Sequence, residues 1–237
     1  MSNEIESLML SLRNEEQSVG LMRFFKTGKG EYGEGDKFLG IKVPQTRAVV
    51  KAYWKKCCLN DLEPLIASPY HEIRLCALLI LVQIFKHARK DAVLQEKCVD
   101  FYLSHTQFIN NWDLVDLSCY EILGTWLLDK DRQMLYDLAR NGKTIWEQRI
   151  AMVSCMQFVR HGELDDCIRI ADILLMHTHD LIRKSVGWLL REVGKRDENL
   201  LKDYLNRHYK TMPRITLRYT IEHFPKDVQQ SYKVVRL

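Results

Sequence analysis

Apolar residues recur at helical intervals along nearly the whole chain. The clearest run follows Ser68-Pro69, where Ile73, Ala77, Ile80 and Ile84 come at spacings of four, three and four. That spacing puts all four on one face of a helix, and Pro69 suits its opening. Val43-Pro44 opens another helix in the same way, running to about Cys58. The same periodicity predicts helices over 91–105, 112–128, 132–140, 145–159, 164–176, 181–194, 198–209 and 213–224, with two more before Lys26. No segment alternates apolar and polar residues between turn signals, as a half-buried strand requires. The pattern predicts an all-α fold.

The helices also repeat. An arginine near a helix start, followed by an apolar stripe, occurs at Arg74 (EIRLCALLILV), Arg149 (EQRIAMVSCMQF), Arg183 (LIRKSVGWLLRE) and Arg218 (TLRYTIEHF). The separations are 75, 34 and 35 residues; the first is about two of the others, and the helix at Trp112 fills the gap. A fixed period of this size, one helix pair each, is the signature of an α-solenoid. One pair cannot bury its own apolar face, so neighbours stack. The expectation is a single domain over 1–237, a curved superhelix with a concave face built from one helix of every pair. Function is then to be sought on inner-helix side chains that point away from the core.

Composition sharpens this picture. With 46% apolar residues among 237, and only five prolines and 11 glycines, the chain can bury a sizeable core and is neither disordered nor collagen-like. No run approaches the roughly 18 apolar residues of a membrane span. Residues 1–11 carry Glu4 and Glu6 and no basic stretch ahead of an apolar run, so no signal peptide is expected. The seven cysteines (Cys57, Cys58, Cys76, Cys98, Cys119, Cys155 and Cys167) are odd in number and form no Cys-x-x-Cys. They read as reduced, mostly buried thiols of a cytoplasmic protein rather than a zinc site or a disulfide frame.

Charge is uneven. Residues 181–237 hold 13 Lys/Arg and six Asp/Glu, a balance of +7, whereas the first 180 hold 22 and 25, a balance of −3. A basic quarter is either a footprint for a polyanion or a solvated helix surface, and charge alone does not separate the two.

Two helices carry candidate chemistry. In the helix over 181–195, Ile182, Val186, Leu189 and Val193 form an apolar stripe, and Lys184, Trp188, Arg191 and Lys195 line the nearly opposite side. Three bases flanking an indole suit a sugar–phosphate backbone; a Trp covered by the next repeat, with lysine stems lying along it, is the competing explanation. In the other helix Trp112 and Asp116 are four apart and so share a face, with Asp113 beside them. An acid in the first turn favours the helix dipole, which suits Asp113. Asp116 lies a turn further in, beside a large aromatic, where the dipole explains it less well.

These residues resemble a known family. Asn111-Trp112-Asp113-Leu114-Val115-Asp116, then Trp146-x-x-Arg149, then Gly187-Trp188-Leu189-Leu190-Arg191-Glu192 are similar to the AlkD-type DNA alkylation repair glycosylases, as are Phe38-Leu39-Gly40-Ile41 with Pro44 and Arg47. The resemblance spans most of the chain. It implies HEAT-like helical pairs with a concave basic face. It also implies a monofunctional enzyme, with no cofactor and no metal, that hydrolyses the N-glycosidic bond of cationic N3- and N7-alkylated purines in double-stranded DNA. Asp116 then matches the catalytic carboxylate, Trp112 and Trp188 the aromatic walls, and Arg149 a backbone-contacting base. Lys184, Arg191, Lys195 and Arg218 are further expected DNA contacts, as is an early aromatic, Phe24 or Phe25. Such a protein can act as a monomer. The alternative is a non-catalytic solenoid that binds nucleic acid or a protein.

Other motifs are weaker. Gly28-Lys29-Gly30-Glu31-Tyr32-Gly33 matches G-x-G-x-x-G, yet no strand precedes it and Glu31, Glu34 and Asp36 repel phosphate, so a loop is expected. His177-Thr178-His179-Asp180 has no third ligand in view and reads as turn chemistry. Trp54 and Trp126 lie among apolar residues and are expected in the core.

Overall fold

The computed structural model describes residues 1–234. Among them secondary structure is helical, apart from an isolated parallel bridge between Lys37 and Tyr70. The all-α fold is as the periodicity predicts, and the succession of helix pairs is consistent with a HEAT-like α-solenoid. The chain divides into two compact units, Met1–Ile122 and Leu123–Leu237.

The first unit contains α1 (Ser2–Ser11), α2 (Glu15–Phe24), α3 (Val43–Tyr53), α4 (Leu59–Ile66), α5 (His71–His87), α6 (Ala92–Ser104) and α7 (Trp112–Asp116). Its centre is α5. Ile73, Ala77 and Ile80 are at most 1% exposed, and so are Cys76, Leu78 and Leu81 on other faces. A helix apolar all round must be enclosed, and α5 packs against α1, α3, α4, α6 and α7. The apolar pattern did not predict α4. It is only eight residues long and contains Pro64, and its start is set by Asp61, whose carboxylate accepts the Cys58 N–H at 3.0 Å.

In the second unit lie α8 (Gln133–Asn141), α9 (Ile145–Ser154), α10 (Met156–Arg160), α11 (Asp165–Leu174), α12 (Asp180–Arg196), α13 (Glu198–His208), α14 (Arg214–Thr220) and α15 (Lys226–Val234), the last also unpredicted. Here α12 is central, packing on α9, α11, α13 and α14. Its predicted stripe Ile182, Val186, Leu189 and Val193 is completely buried.

Two predicted helices are broken. The one over 112–128 ends as α7 at Asp116 and resumes through a π turn (Tyr120–Gly124) and a 3-10 turn (Leu127–Asp129). Ser118 sits at the break, where its Oγ competes for the helix ladder by donating back to the Leu114 carbonyl at 2.5 Å and also meets the Tyr102 hydroxyl at 3.0 Å. The helix over 145–159 is interrupted at Cys155. Against that break packs Gly124, where a Cβ would lie 2.5 Å from the Ser154 carbonyl oxygen. Trp54 and Trp126 are half-buried rather than core, and the Lys130 ammonium lies 3.9 Å from the Trp126 ring centroid. The cysteines are free thiols: Cys76, Cys98, Cys119, Cys155 and Cys167 are buried, Cys57 is half-buried and Cys58 is exposed.

The recurring arginines fasten helix starts. Arg74 donates to the Ser68 carbonyl at 2.8 Å, Arg183 to the His177 carbonyl at 2.8 Å, and Arg149 to the Leu181 carbonyl. Arg218 differs, being exposed on α14.

Candidate active site

In the first unit the candidate residues stand on α7, one and a half turns of helix entered from an extended Asn111. Asn111 is fully buried and its Oδ1 accepts the Trp112 N–H at 2.9 Å. Trp112 and Asp116 are half-buried neighbours on this helix. Asp113 is buried, and beyond its favourable place in the first turn it has a specific partner: its Oδ2 is 2.8 Å from His71 Nε2.

That contact belongs to a buried network that sequence reading missed. His71 Nδ1 is 3.2 Å from Asp36 Oδ2. The other Asp36 oxygen accepts from Arg74 at 2.6 Å, and Arg74 also donates to Asn110 Oδ1 at 2.9 Å. Burial alone would lower the His71 pKa, but the adjacent Asp113 and Asp36 carboxylates outweigh it and raise the value to about 9. Burial alone would raise the pKa of Asp36; its bonds to His71 and Arg74 prevail and hold it below the usual carboxylate range. Sequence offered one signal, three ionisable residues (His71, Glu72 and Arg74) ahead of a long apolar run, but no clue to their partners.

Glu72 explains the Phe38-Leu39-Gly40-Ile41 motif. Its carboxylate accepts the backbone N–H groups of Leu39, Gly40 and Ile41 at 2.8, 2.8 and 3.1 Å. Gly40 has φ +83°, and a Cβ there would lie 2.1 Å from the Asn14 carbonyl oxygen, so glycine is required. The motif thereby fixes Phe38, which begins an aromatic column. Phe38 stacks on His71 (centroids 4.5 Å), Phe25 on Phe38 (5.0 Å) and Trp112 on Phe25 (5.4 Å). The two early aromatics are thus distinguished: Phe25 is 7% exposed inside the column, whereas Phe24 is 62% exposed and meets Trp112 edge-on, with ring centroids 6.1 Å apart.

In the second unit Trp188 and Lys184 are half-buried on α12, and Lys195 is exposed a little further along. Lys195 pairs with Glu192 at 2.8 Å, and Arg191 with Glu192 at 3.4 Å and with Glu222. Two of the three bases on this line are therefore already engaged by carboxylates. Arg149 is 5% exposed, its guanidinium turned to the Leu181 carbonyl. Arg218 is exposed, 5.6 Å from the Tyr219 ring.

The weaker motifs resolve as loops and turns. Gly28 and Gly30 N–H groups donate to the Glu31 and Glu34 carboxylates at 3.0 and 2.8 Å, which fills the donors a phosphate would need. His179 Nδ1 accepts the Leu181 N–H at 3.2 Å and His177 Nε2 meets Gln148 at 3.0 Å. Among the described residues no group of three or more His, Cys, Asp or Glu is placed to hold a metal ion. A polar cleft of about 620 Å³ lies between α8 and α11, crossed by Arg132 and Asp166, and none of the candidate residues lines it.

An all-helical chain of successive helix pairs, with a carboxylate and a tryptophan sharing one short helix and a second tryptophan among bases on another, fits the class of HEAT-like repeat proteins. The chain belongs to the DNA alkylation repair enzyme family, whose model matches residues 5–224. Among solved structures it is similar to a predicted DNA alkylation repair enzyme from Enterococcus faecalis. The two are 15% identical with a TM-score of 0.69, over 90% of this chain and 97% of that one, which shows a shared fold. No curated protein matches it. No helix among the described residues is long and apolar enough to cross a membrane.

Proposed function

We propose that the protein is a DNA glycosylase that releases cationic N3- or N7-alkylated purines from double-stranded DNA. The observation that carries this reading is the pairing of Trp112 and Asp116 on α7, backed by the Phe25 ring and flanked by exposed Phe24. Alkylation at N7 or N3 gives the purine a positive charge, so it departs as a neutral base without a general acid. The C1′–N bond breaks with its electron pair on the base, and positive charge develops on the deoxyribose. The Asp116 carboxylate stabilises that charge and orients the water that adds at C1′ and then gives up a proton. Trp112 offers its electron-rich face to the same cationic sugar. On the second unit, half-buried Trp188 offers the DNA a further aromatic face. Lys184, Arg191, Lys195 and Arg218 meet phosphates, with Arg149 as a fixed donor beside them. No cofactor and no metal takes part, and the protein acts as a monomer.

Release of free 7-methylguanine from methylated duplex DNA tests this reading. Wild type is expected to release it, and Asp116→Asn to lose at least about 100-fold in rate, the scale of losing a charge-stabilising group, with duplex binding retained. Equal loss of binding and release would make Asp116 structural. No release by wild type, with tight DNA binding, would leave a non-catalytic binding module.

A further inference from the structure

Both ring nitrogens of His71 face carboxylates. A neutral imidazole carries one N–H, so one of the two contacts would set lone pair against lone pair; only the doubly protonated ring donates to both. We propose that His71 is a positioning residue for base release: its imidazolium clamps Asp113 to Asp36, and so fixes Trp112 and Asp116 on α7. This rests on the glycosylase reading.

Three observations carry it. At five residues, α7 is too short to hold its own direction and depends on outside ties. Asn111 only caps its first turn locally, whereas Asp113 reaches His71 across 42 residues of chain. The aromatic column returns to the same ring, from Trp112 through Phe25 and Phe38 to His71. Moving His71 therefore moves Trp112 by two routes, one polar through Asp113 and one through stacked rings. A misplacement of about 1 Å at a reacting centre costs on the order of 100-fold in rate.

The charges around the clamp balance. Asp36 from the loop before Lys37 and Asp113 from α7 oppose His71 and Arg74 on α5, and Glu72 on the same helix is turned to the 39–41 backbone. The end of α2 contributes the uncharged Phe25 ring. The His71 pKa is raised on folding from 6.5 to about 9. Its stabilising contribution is therefore complete below about pH 6.5 and is lost as pH rises through about 9.

The experiment is single-turnover release of 7-methylguanine from methylated duplex by wild type and His71→Gln, from about pH 6.5 to 10, with intact-duplex binding and thermal unfolding measured alongside. Glutamine has its donors on a single nitrogen and an acceptor oxygen beside it, so it cannot present an N–H at both positions the imidazolium fills. At neutral pH the variant is expected to release base about 10- to 100-fold more slowly while binding duplex within about threefold of wild type. Wild type is expected to lose activity above about pH 9, and the variant's residual rate to lack that decline. A variant rate within about threefold of wild type, or equal loss of binding and release, overturns the proposal. If His71→Gln does not fold, Asp36→Asn removes one of the two carboxylate charges that keep His71 doubly protonated; it is expected to move the alkaline loss of activity to lower pH with duplex binding retained, and an unchanged pH profile overturns the proposal. Should wild type release no base at any pH, the glycosylase reading fails, and nitrogen NMR of the His71 ring judges the clamp by itself. Two ring N–H groups at about pH 8 uphold the clamp; a neutral tautomer removes it.

Discussion

Arg149 poses the sharpest question at the scale of single residues. Its resemblance to a backbone-contacting base and its buried bond to the Leu181 carbonyl ask different things of one guanidinium. Arg149→Ala removes the donor to Leu181, and the loss of a buried charged donor costs about 1–3 kcal/mol. Thermal or denaturant unfolding of the variant should show that loss; unchanged stability with weakened duplex binding would assign the side chain to phosphate alone. Residue-level chemistry was legible where it is local. Trp112 and Asp116 are four apart and share a helix face by arithmetic. The partners of His71 lie 35 residues upstream and 42 downstream, and nothing in a periodic pattern says which loop returns to the start of α5. Phe24 and Phe25 are adjacent with equal side chains, and only the turn after α2 decides which one is exposed.

At the scale of elements, helix identity followed from the apolar period, and helix continuity did not. The period is blind to Ser118 bonding back to the Leu114 carbonyl and to Cys155 interrupting α9, because each break preserves the apolar face. Eight residues with an internal proline hid α4. The contact of α12 with α14 shows what a single glycine decides. A Cβ on Gly187 would lie 2.5 Å from the Thr216 carbonyl oxygen and 2.6 Å from the Tyr219 Cβ. Neither is the far end of a flexible side chain, so the helices must separate to admit it. Gly187→Ala is expected to destabilise by about 1–3 kcal/mol despite the better helix propensity of alanine. A denaturant midpoint at or above wild type would show that the interface yields freely. Trp188 follows this glycine directly, so its direction depends on the same close approach.

For the whole molecule, the expected partner is a polyanion, and the measurement is salt dependence. Duplex affinity should fall linearly in log–log form, with a slope of about −0.9 for each phosphate neutralised; a flat response would remove DNA from the account. The basic quarter seen in sequence is only partly available in the fold. Arg191 and Lys195 share Glu192, and Arg191 also meets Glu222. Arg236 lies outside the described residues. Lys184→Ala should therefore reduce the slope by about one and Arg191→Ala by less, since Arg191 exchanges carboxylates for phosphate rather than releasing a full complement of ions. Net charge counted along a sequence cannot register such internal pairing. The thiols offer a different kind of consequence. Burial pushes Cys76 up to about 12 and Cys98 up to about 11, and it shields Cys119, Cys155 and Cys167 as well, while Cys58 alone is exposed. A thiol-selective fluorophore at neutral pH thus finds its address by access, at the opening of α4, on the unaltered chain. The protein carries its own attachment point for single-molecule observation on DNA.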